Sequence, residues 1–459
     1  MMVKANMPVR QNVNLVAPLA HKATAMHTTD TAAPAQARSG AVSPLIGASL
    51  RPGDVDSAHR RSSARTTPGT RTSPTATRTT TTRASRPAAE PSADSQDYAF
   101  DKLLQAYLDC RATKRNTASA LAFEDRLEAN LIALHEELCS GQYRPGRSIC
   151  FVITRPKPRE VWAAEFRDRI VHHLLYNAIG PQIEARFIAN SHACIAGRGT
   201  LQAAERLESS VRSLTQNWAA PAWYLKCDLA NFFVAIRKPV LFAQLASHVA
   251  DPWWLLLART ILFHDPRADV EVRGSRALLA QVPPHKSLFN APADTGLPIG
   301  NLSSQFFANV HLNALDQFAK HQLGVRHYGR YVDDFYLLHH SPQQLNAWLA
   351  AITAWLPEQL GAQLNPTKTI LQPIARGIDF VGHVIKPWHR TTRPRTVATA
   401  LSRLRDMPAA DTFAAGNSYL GLVRQASHSH ADQVQLARLL RRRGHAVSGD
   451  IGKIYRSQT

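Results

Sequence analysis

Two adjacent aspartates, Asp333 and Asp334, lie in the stretch Tyr328–Leu338, which reads Tyr-Gly-Arg-Tyr-Val-Asp-Asp-Phe-Tyr-Leu-Leu. The β-branched and aromatic residues on both sides favour a pleated, half-buried strand, and an acid pair interrupting them predicts the tip of a hairpin. Carboxylates set so close to apolar residues are costly to desolvate. Side by side they also repel, so one holds its proton unless a cation arrives. A divalent metal answers both problems, and ligands that are all oxygen point to magnesium or manganese. An ordinary turn with exposed aspartates would give the same dipeptide, so the pair needs support from elsewhere.

That support begins at Trp223–Ile236, which reads as a strand holding one acid, Asp228, followed by a turn with Phe232 and Phe233. An isolated Asp in an apolar strand is either a capping residue or part of a site. A site built on two metals needs acids from separate strands converging on one point, and Asp228 supplies the third. Upstream, Arg155-Pro-Lys-Pro-Arg-Glu160 places Lys157 and Arg159 on an extended segment just before a helix, where cations can grip a triphosphate or simply form a solvated charge run. The loop Ser191–Thr200 contains glycines and opens a helix, but it lacks the spacing of an ATP-binding phosphate loop. His172 and His173 are adjacent on a helical stretch and do not share a face, which argues against a histidine metal site.

The elements that must position these groups follow from periodicity. Phe100, Leu103, Leu104, Tyr107 and Leu108 have helical spacing, as do Phe123, Leu127, Leu131, Leu134 and Leu138. Ser148–Thr154 reads as extended and residues 164–179 as a long helix. Residues 201–214, 343–360 and the apolar run after Gly296 read as further helices, with a loop and strand at 364–370 and a short strand pair or turn at 378–385. From Thr396 onward the chain reads as helical and basic. Before all of this, Thr66–Pro87 is a low-complexity tract of Thr, Arg, Ser, Ala and Pro, predicted to be disordered.

The 459-residue chain carries a net charge of +20, which favours a polyanionic partner, nucleic acid before membrane. No apolar run approaches a membrane span. The five cysteines show no Cys-x-x-Cys spacing, which predicts a reducing, cytoplasmic setting with neither a disulfide framework nor a zinc site.

Taken in order, these stretches resemble the successive motifs of a reverse transcriptase over roughly residues 100–390. The resemblance implies that Asp228, Asp333 and Asp334 bind two ions of magnesium or manganese, together with the backbone of Leu229. It implies that Lys157 and Arg159 hold the phosphates of the incoming dNTP and that Phe233 bars a ribose 2′-hydroxyl. Lys368 stands where the family has a conserved-motif lysine, an acid for pyrophosphate, and Phe380-Val381-Gly382 resembles the primer grip. Most reverse transcriptases have Gln-Gly followed by Ser-Pro in the fourth motif. Here the stretch is Ile299-Gly300-Asn301-Leu302-Ser303-Ser304-Gln305, which resembles the enzymes of diversity-generating retroelements; Ile299, Gly300 and Gln305 then belong to the nucleotide site.

The expected fold is α+β, a right-hand polymerase. A basic tail covers 1–97, fingers 98–220, an antiparallel-sheet palm with the acids 221–390, and a short helical thumb 391–459. The expected activity is RNA-directed DNA synthesis, error-prone at adenines. The expected partners are template RNA, a cDNA primer and product, dNTP and a small accessory protein. Two alternatives stay open: a defence, retron or group II intron-like polymerase, and a non-catalytic RNA-binding maturase on the same scaffold.

Overall fold

A computed structural model describes residues 99–113, 117–154 and 157–455. The expected basic tail and Arg155-Pro156 lie outside the described residues. Three helices come first: α1 (Phe100–Thr113), α2 (Ala118–Glu124) and α3 (Leu127–Cys139). Strands β1 (Ser148–Ile153) and β2 (Arg159–Ala164) follow, then helices α4 (Phe166–Glu184) and α5 (Thr200–Leu214). Strand β3 (Trp223–Asp228) leads through the single turn α6 (Phe232–Ala235) to α7 (Lys238–Ala246), α8 (Pro252–Phe263), β4 (Val270–Arg273) and the short α9 (Arg276–Leu279).

Next come α10 (Leu302–Gln317), β5 (His327–Tyr331), β6 (Asp334–His339) and α11 (Pro342–Leu360). Strands β7 (Ile370–Pro373), β8 (Ile378–Phe380), β9 (His383–Lys386) and β10 (His389–Thr392) precede α12 (Pro394–Asp406), α13 (Ala409–Arg424) and α14 (His430–Arg442). A strand pair, β11 (Ala446–Val447) and β12 (Ile454–Tyr455), closes the described chain. The fold is α+β, and its sheets are antiparallel apart from the β1–β4 pairing.

The central sheet has the order β5-β6-β3-β7, antiparallel throughout. Its strands are apolar on both faces because helices cover both. Leu225, Cys227, Phe335 and Leu337 join the large core built with α1, α4, α7, α8, α10 and α11. Tyr224, Tyr336 and Leu338 point to the opposite face, where α5 and the β8–β9 hairpin close a second core. Successive side chains therefore enter opposite cores, and a strand covered on both faces reads as a nearly continuous apolar run.

Helix α10 is buried on every side and runs through the middle of the large core, burying Phe306, Phe307, Val310, Leu312 and Leu315 together with the polar Asn309 and Asp316. Helix α11 starts at Ser341, whose hydroxyl accepts from the Gln344 N–H at 3.3 Å, and stops at Gly361 with φ +65°.

Two expectations from the sequence need correction. The long helix expected from residue 164 begins at Phe166, because Arg159–Ala164 pairs residue by residue with Ser148–Ile153 as a strand. The basic C-terminal stretch is helical through α14 but ends in the β11–β12 pair. No helix among the described residues is long and apolar enough to cross a membrane.

Candidate active site

The acids meet at one end of the central sheet. Asp228 is the last residue of β3 and Asp334 the first of β6, and the two are direct cross-strand partners. Partners in an antiparallel pair project to the same face, so both carboxylates lie on the face that carries Tyr224 and Tyr336. Asp333 occupies the two-residue turn Val332-Asp333, since Tyr331 pairs with Asp334 across the hairpin. Gly329 is required just behind, because a Cβ there would lie 2.6 Å from Cζ of Tyr336 on the facing strand.

Like charges directly opposite one another destabilise a sheet, and two lysines offset them. Lys368 Nζ lies 2.7 Å from both oxygens of Asp228. Lys226 Nζ lies 3.2 Å from Asp334 Oδ2 and donates to the Asp379 carbonyl at 3.1 Å. Asn365, in the loop that leads into β7, is tied to the same strand end: its N–H donates to the Asp228 carbonyl at 2.8 Å and its amide to Asp228 Oδ1 at 3.4 Å. Burial pushes the Asp333 carboxyl up to about 6, with the neighbouring Asp228 charge adding to it. Burial also raises Asp334, against the opposing pull of Lys226.

As the side chains stand, no three His, Cys, Asp or Glu groups among the described residues close around one point in ligand geometry. The donor set nonetheless suits a hard cation. Its oxygens are all carboxylate, they converge from β3, β6 and the turn between β5 and β6, and their excess negative charge is met at present by two lysine ammoniums. Lys368 is held only at its tip, with 49% of its side chain exposed, so it can yield Asp228 to an arriving ion.

The other expected site residues fall into two further groups. Phe380 ends β8 and packs edge-on against Tyr336, with ring centroids 5.2 Å apart, while Lys226 Nζ lies 6.0 Å from the Phe380 centroid. Val381 and Gly382 form the tight β8–β9 turn, both at positive φ (46° and 89°).

The second group surrounds a cleft lined by Phe233, Ile299, Glu160, Trp162 and Lys286. Here the 299–301 loop is docked on β2. The Trp162 N–H donates to the Ile299 carbonyl at 2.7 Å, and the Ala164 N–H donates to Asn301 Oδ1 at 3.0 Å. Gly300, at φ +129°, leaves no room for a side chain: a Cβ would sit 2.8 Å from the Trp162 carbonyl oxygen. Outside the cleft lining, Gln305 is half-buried one turn into α10, and Lys157 and Arg159 are exposed, Arg159 as the first residue of β2 and Lys157 just before it. Leu229 is buried and bridges to Leu364.

Lys226 and Asn365 were not singled out in the sequence. Lys226 had a local signal, a lone cation two residues before Asp228 and therefore on its face; Asn365 had none.

Residues 155–385 of the 459 match the family model described as reverse transcriptase (RNA-dependent DNA polymerase). Nuclear intron maturase 1, mitochondrial, of Arabidopsis thaliana is 28% identical over 119 residues, which are 25% of this chain and 16% of the relative. An uncharacterized 91 kDa protein in the cob intron of Schizosaccharomyces pombe is 24% identical over 176 residues, 38% of this chain and 19% of the relative. The matched region thus spans less than a fifth of either relative.

Among solved structures, telomerase from Candida albicans in complex with a fragment of telomeric RNA is 14% identical with a TM-score of 0.39, covering 65% of this chain and 56% of that one. Apo telomerase from Candida tropicalis is 12% identical with a TM-score of 0.41, covering 54% and 55%. With the family match running from the strand that carries Arg159 through all three acids to β9, the chain belongs to the reverse transcriptase (RNA-dependent DNA polymerase) family.

Proposed function

We propose that this protein is an active RNA-directed DNA polymerase whose catalytic acids are Asp228, Asp333 and Asp334. The observation that carries the reading is the register of the central sheet, which sets Asp228 opposite Asp334 with Asp333 in the adjoining turn. In this reading residues 98–220 are fingers, 221–390 the palm and 391–459 the thumb. Two divalent ions bound by the acids and the Leu229 backbone would acidify the primer 3′-hydroxyl and support the leaving pyrophosphate.

The chain's own groups do the remaining work. Lys157 and Arg159 bind the triphosphate, and Phe233 covers the sugar, sterically excluding a 2′-hydroxyl. The Phe380–Gly382 turn orients the primer end. Lys368, released from Asp228, gives a proton to the departing pyrophosphate. Their main contribution is positioning and charge.

The purified chain is expected to extend a DNA primer on an RNA template with dNTPs and magnesium, the product following the template sequence. A folded chain that binds RNA but adds no nucleotide would instead support the maturase-like reading, which similarity to an intron maturase keeps in view.

The Ile-Gly-Asn-Leu-Ser-Ser-Gln stretch favours a diversity-generating retroelement, with a structured template RNA and a small accessory protein as partners. Ile299 shares the cleft with Phe233 and offers its side chain no donor or acceptor. Loss of a polar restraint worth about 1.4 kcal/mol raises misincorporation about tenfold. Sequencing cDNA from the parent and from Ile299→Gln on one adenine-containing template tests this; equal error rates at adenines from two active enzymes overturn it.

A further inference from the structure

The turn that carries Asp333 is held in an unfavourable backbone conformation. Val332 sits at φ +56°, in the left-handed region, where a β-branched residue is strained. Something packed around the turn must hold it there.

Arg330, two residues earlier on β5, is 1% exposed, and each of its three guanidinium nitrogens donates to an acceptor within the protein. Nε and Nη2 donate to the two oxygens of Asp316 on α10, at 2.8 and 2.7 Å. Nη2 also reaches Ser191 Oγ at 3.0 Å, and Nη1 reaches Asn309 Oδ1 at 3.2 Å. The remaining bond runs from Nη1 to the carbonyl of Val332 itself, at 3.0 Å.

The anchor is itself fixed. Asp316, fully buried, also accepts from the Tyr328 hydroxyl at 2.7 Å, and the Asn309 amide donates to the Ala193 carbonyl at 2.8 Å. The guanidinium therefore joins α10 and the loop before α5 to one peptide of the acid-bearing turn.

We propose that Arg330, oriented by Asp316, is a positioning residue: it pins the Val332 carbonyl and so holds Asp333 and Asp334 where they can bind metal beside Asp228. The inference rests on the metal-binding reading of those acids. Without the Val332 contact, the turn relaxes toward an ordinary negative φ and rotates the peptide that leads into Asp333. Lysine cannot substitute, because one ammonium cannot keep the planar fork on Asp316 and reach Ser191, Asn309 and Val332 as well. A buried ion pair serving only the fold would lack this link to the turn.

The test is a double-mutant cycle on the full chain. Binding of Mn2+ alone is followed by electron paramagnetic resonance, and primer extension is followed as a function of magnesium. Asp333→Asn identifies the Mn2+ bound at the turn. Arg330→Lys is expected to weaken that binding, and to raise the magnesium needed for half-maximal extension, by about tenfold, the size of a 1.4 kcal/mol loss.

In a Val332→Gly background, where the left-handed conformation is unstrained, Arg330→Lys is expected to cost no more than about threefold. Equal losses in both backgrounds, or no loss in either, overturn the inference. Should Arg330→Lys fail to fold, Ser191→Ala and Asn309→Ala each delete one guanidinium contact and are run through the same cycle: a loss that shrinks in the Val332→Gly background supports the inference, and equal losses or none overturn it. A Mn2+ signal indifferent to Asp333→Asn removes the metal reading and this inference with it; a signal lost in Asp333→Asn but an additive cycle removes only the inference.

Discussion

Asp316 and Asp228 are both buried aspartates facing a cation, and their cations make them opposites. Asp316 is gripped at both oxygens by a guanidinium that is itself 1% exposed and bonded through all three nitrogens. Asp228 is met by Lys368, a point charge on a flexible stem with 49% of its side chain in solvent. The first arrangement cannot open without leaving a buried charge unpaired. The second opens by moving one exposed side chain. A permanent ion pair and an exchangeable one thus flank the same turn, and the choice of arginine or lysine separates structure from site.

The largest effects should divide along that line. Asp228→Asn is expected to lower primer extension by about a thousandfold or more, the several kcal/mol that a metal-held charge is worth, while the melting temperature stays near that of the parent. Asp316→Asn is expected to act on stability instead, costing about 3–5 kcal/mol because it strands the Arg330 charge in the core. Denaturant melts of both variants check this. Two similar melts would erase the distinction between permanent and exchangeable pairs.

Lys368→Met sharpens the comparison next. If the lysine is both placeholder and proton donor, turnover is expected to fall about a hundredfold, the lower range for a lost general acid. Its stability cost should be modest, since the lysine end of the pair lies half in solvent even though Asp228 is buried. The solvent deuterium isotope effect on turnover should change in the variant; an unchanged effect would leave Lys368 as a placeholder only.

The pH dependence of metal binding is the subtlest test. Asp333 is raised to about 6, above the ordinary Asp value of about 3.9, so the metal-free fold takes up a proton that the unfolded chain does not. That group's contribution to stability is therefore full below about pH 4 and is lost as pH rises through about 6. Metal needs the ionised acid, so apparent magnesium affinity should fall about tenfold for each pH unit below 6. Isothermal titration at pH 5, 6 and 7 checks the slope. Affinity that stays level across that range would take Asp333 out of the ligand set.

Much of the site could be read from the chain because its signals are local. An acid pair amid strand formers marks a hairpin tip, and Asp228 stands out against Tyr224, Leu225 and Cys227 on its own strand. The strand-forming residues of β3 and β6 and the apolar run of α10 are signals between neighbours a few residues apart, the range that a sequence pattern covers. The extended reading of 155–160 stops short of the end of strand β2 because its Pro- and charge-rich entry hides any alternation, and only pairing with β1 carries the strand on to Ala164. The two-residue strands β11 and β12 are too short to carry a pattern at all.

What the tertiary structure alone decided is which charge meets which. Lys368 comes to Asp228 across 140 residues of chain, and Ser191 reaches Arg330 across 139. Lys226 meets Asp334 only because β3 and β6 pair in the register they do. Strand propensity is written in adjacent side chains; the partner of a buried charge depends on sheet register and on which helix crosses beneath it, and no stretch of sequence contains both.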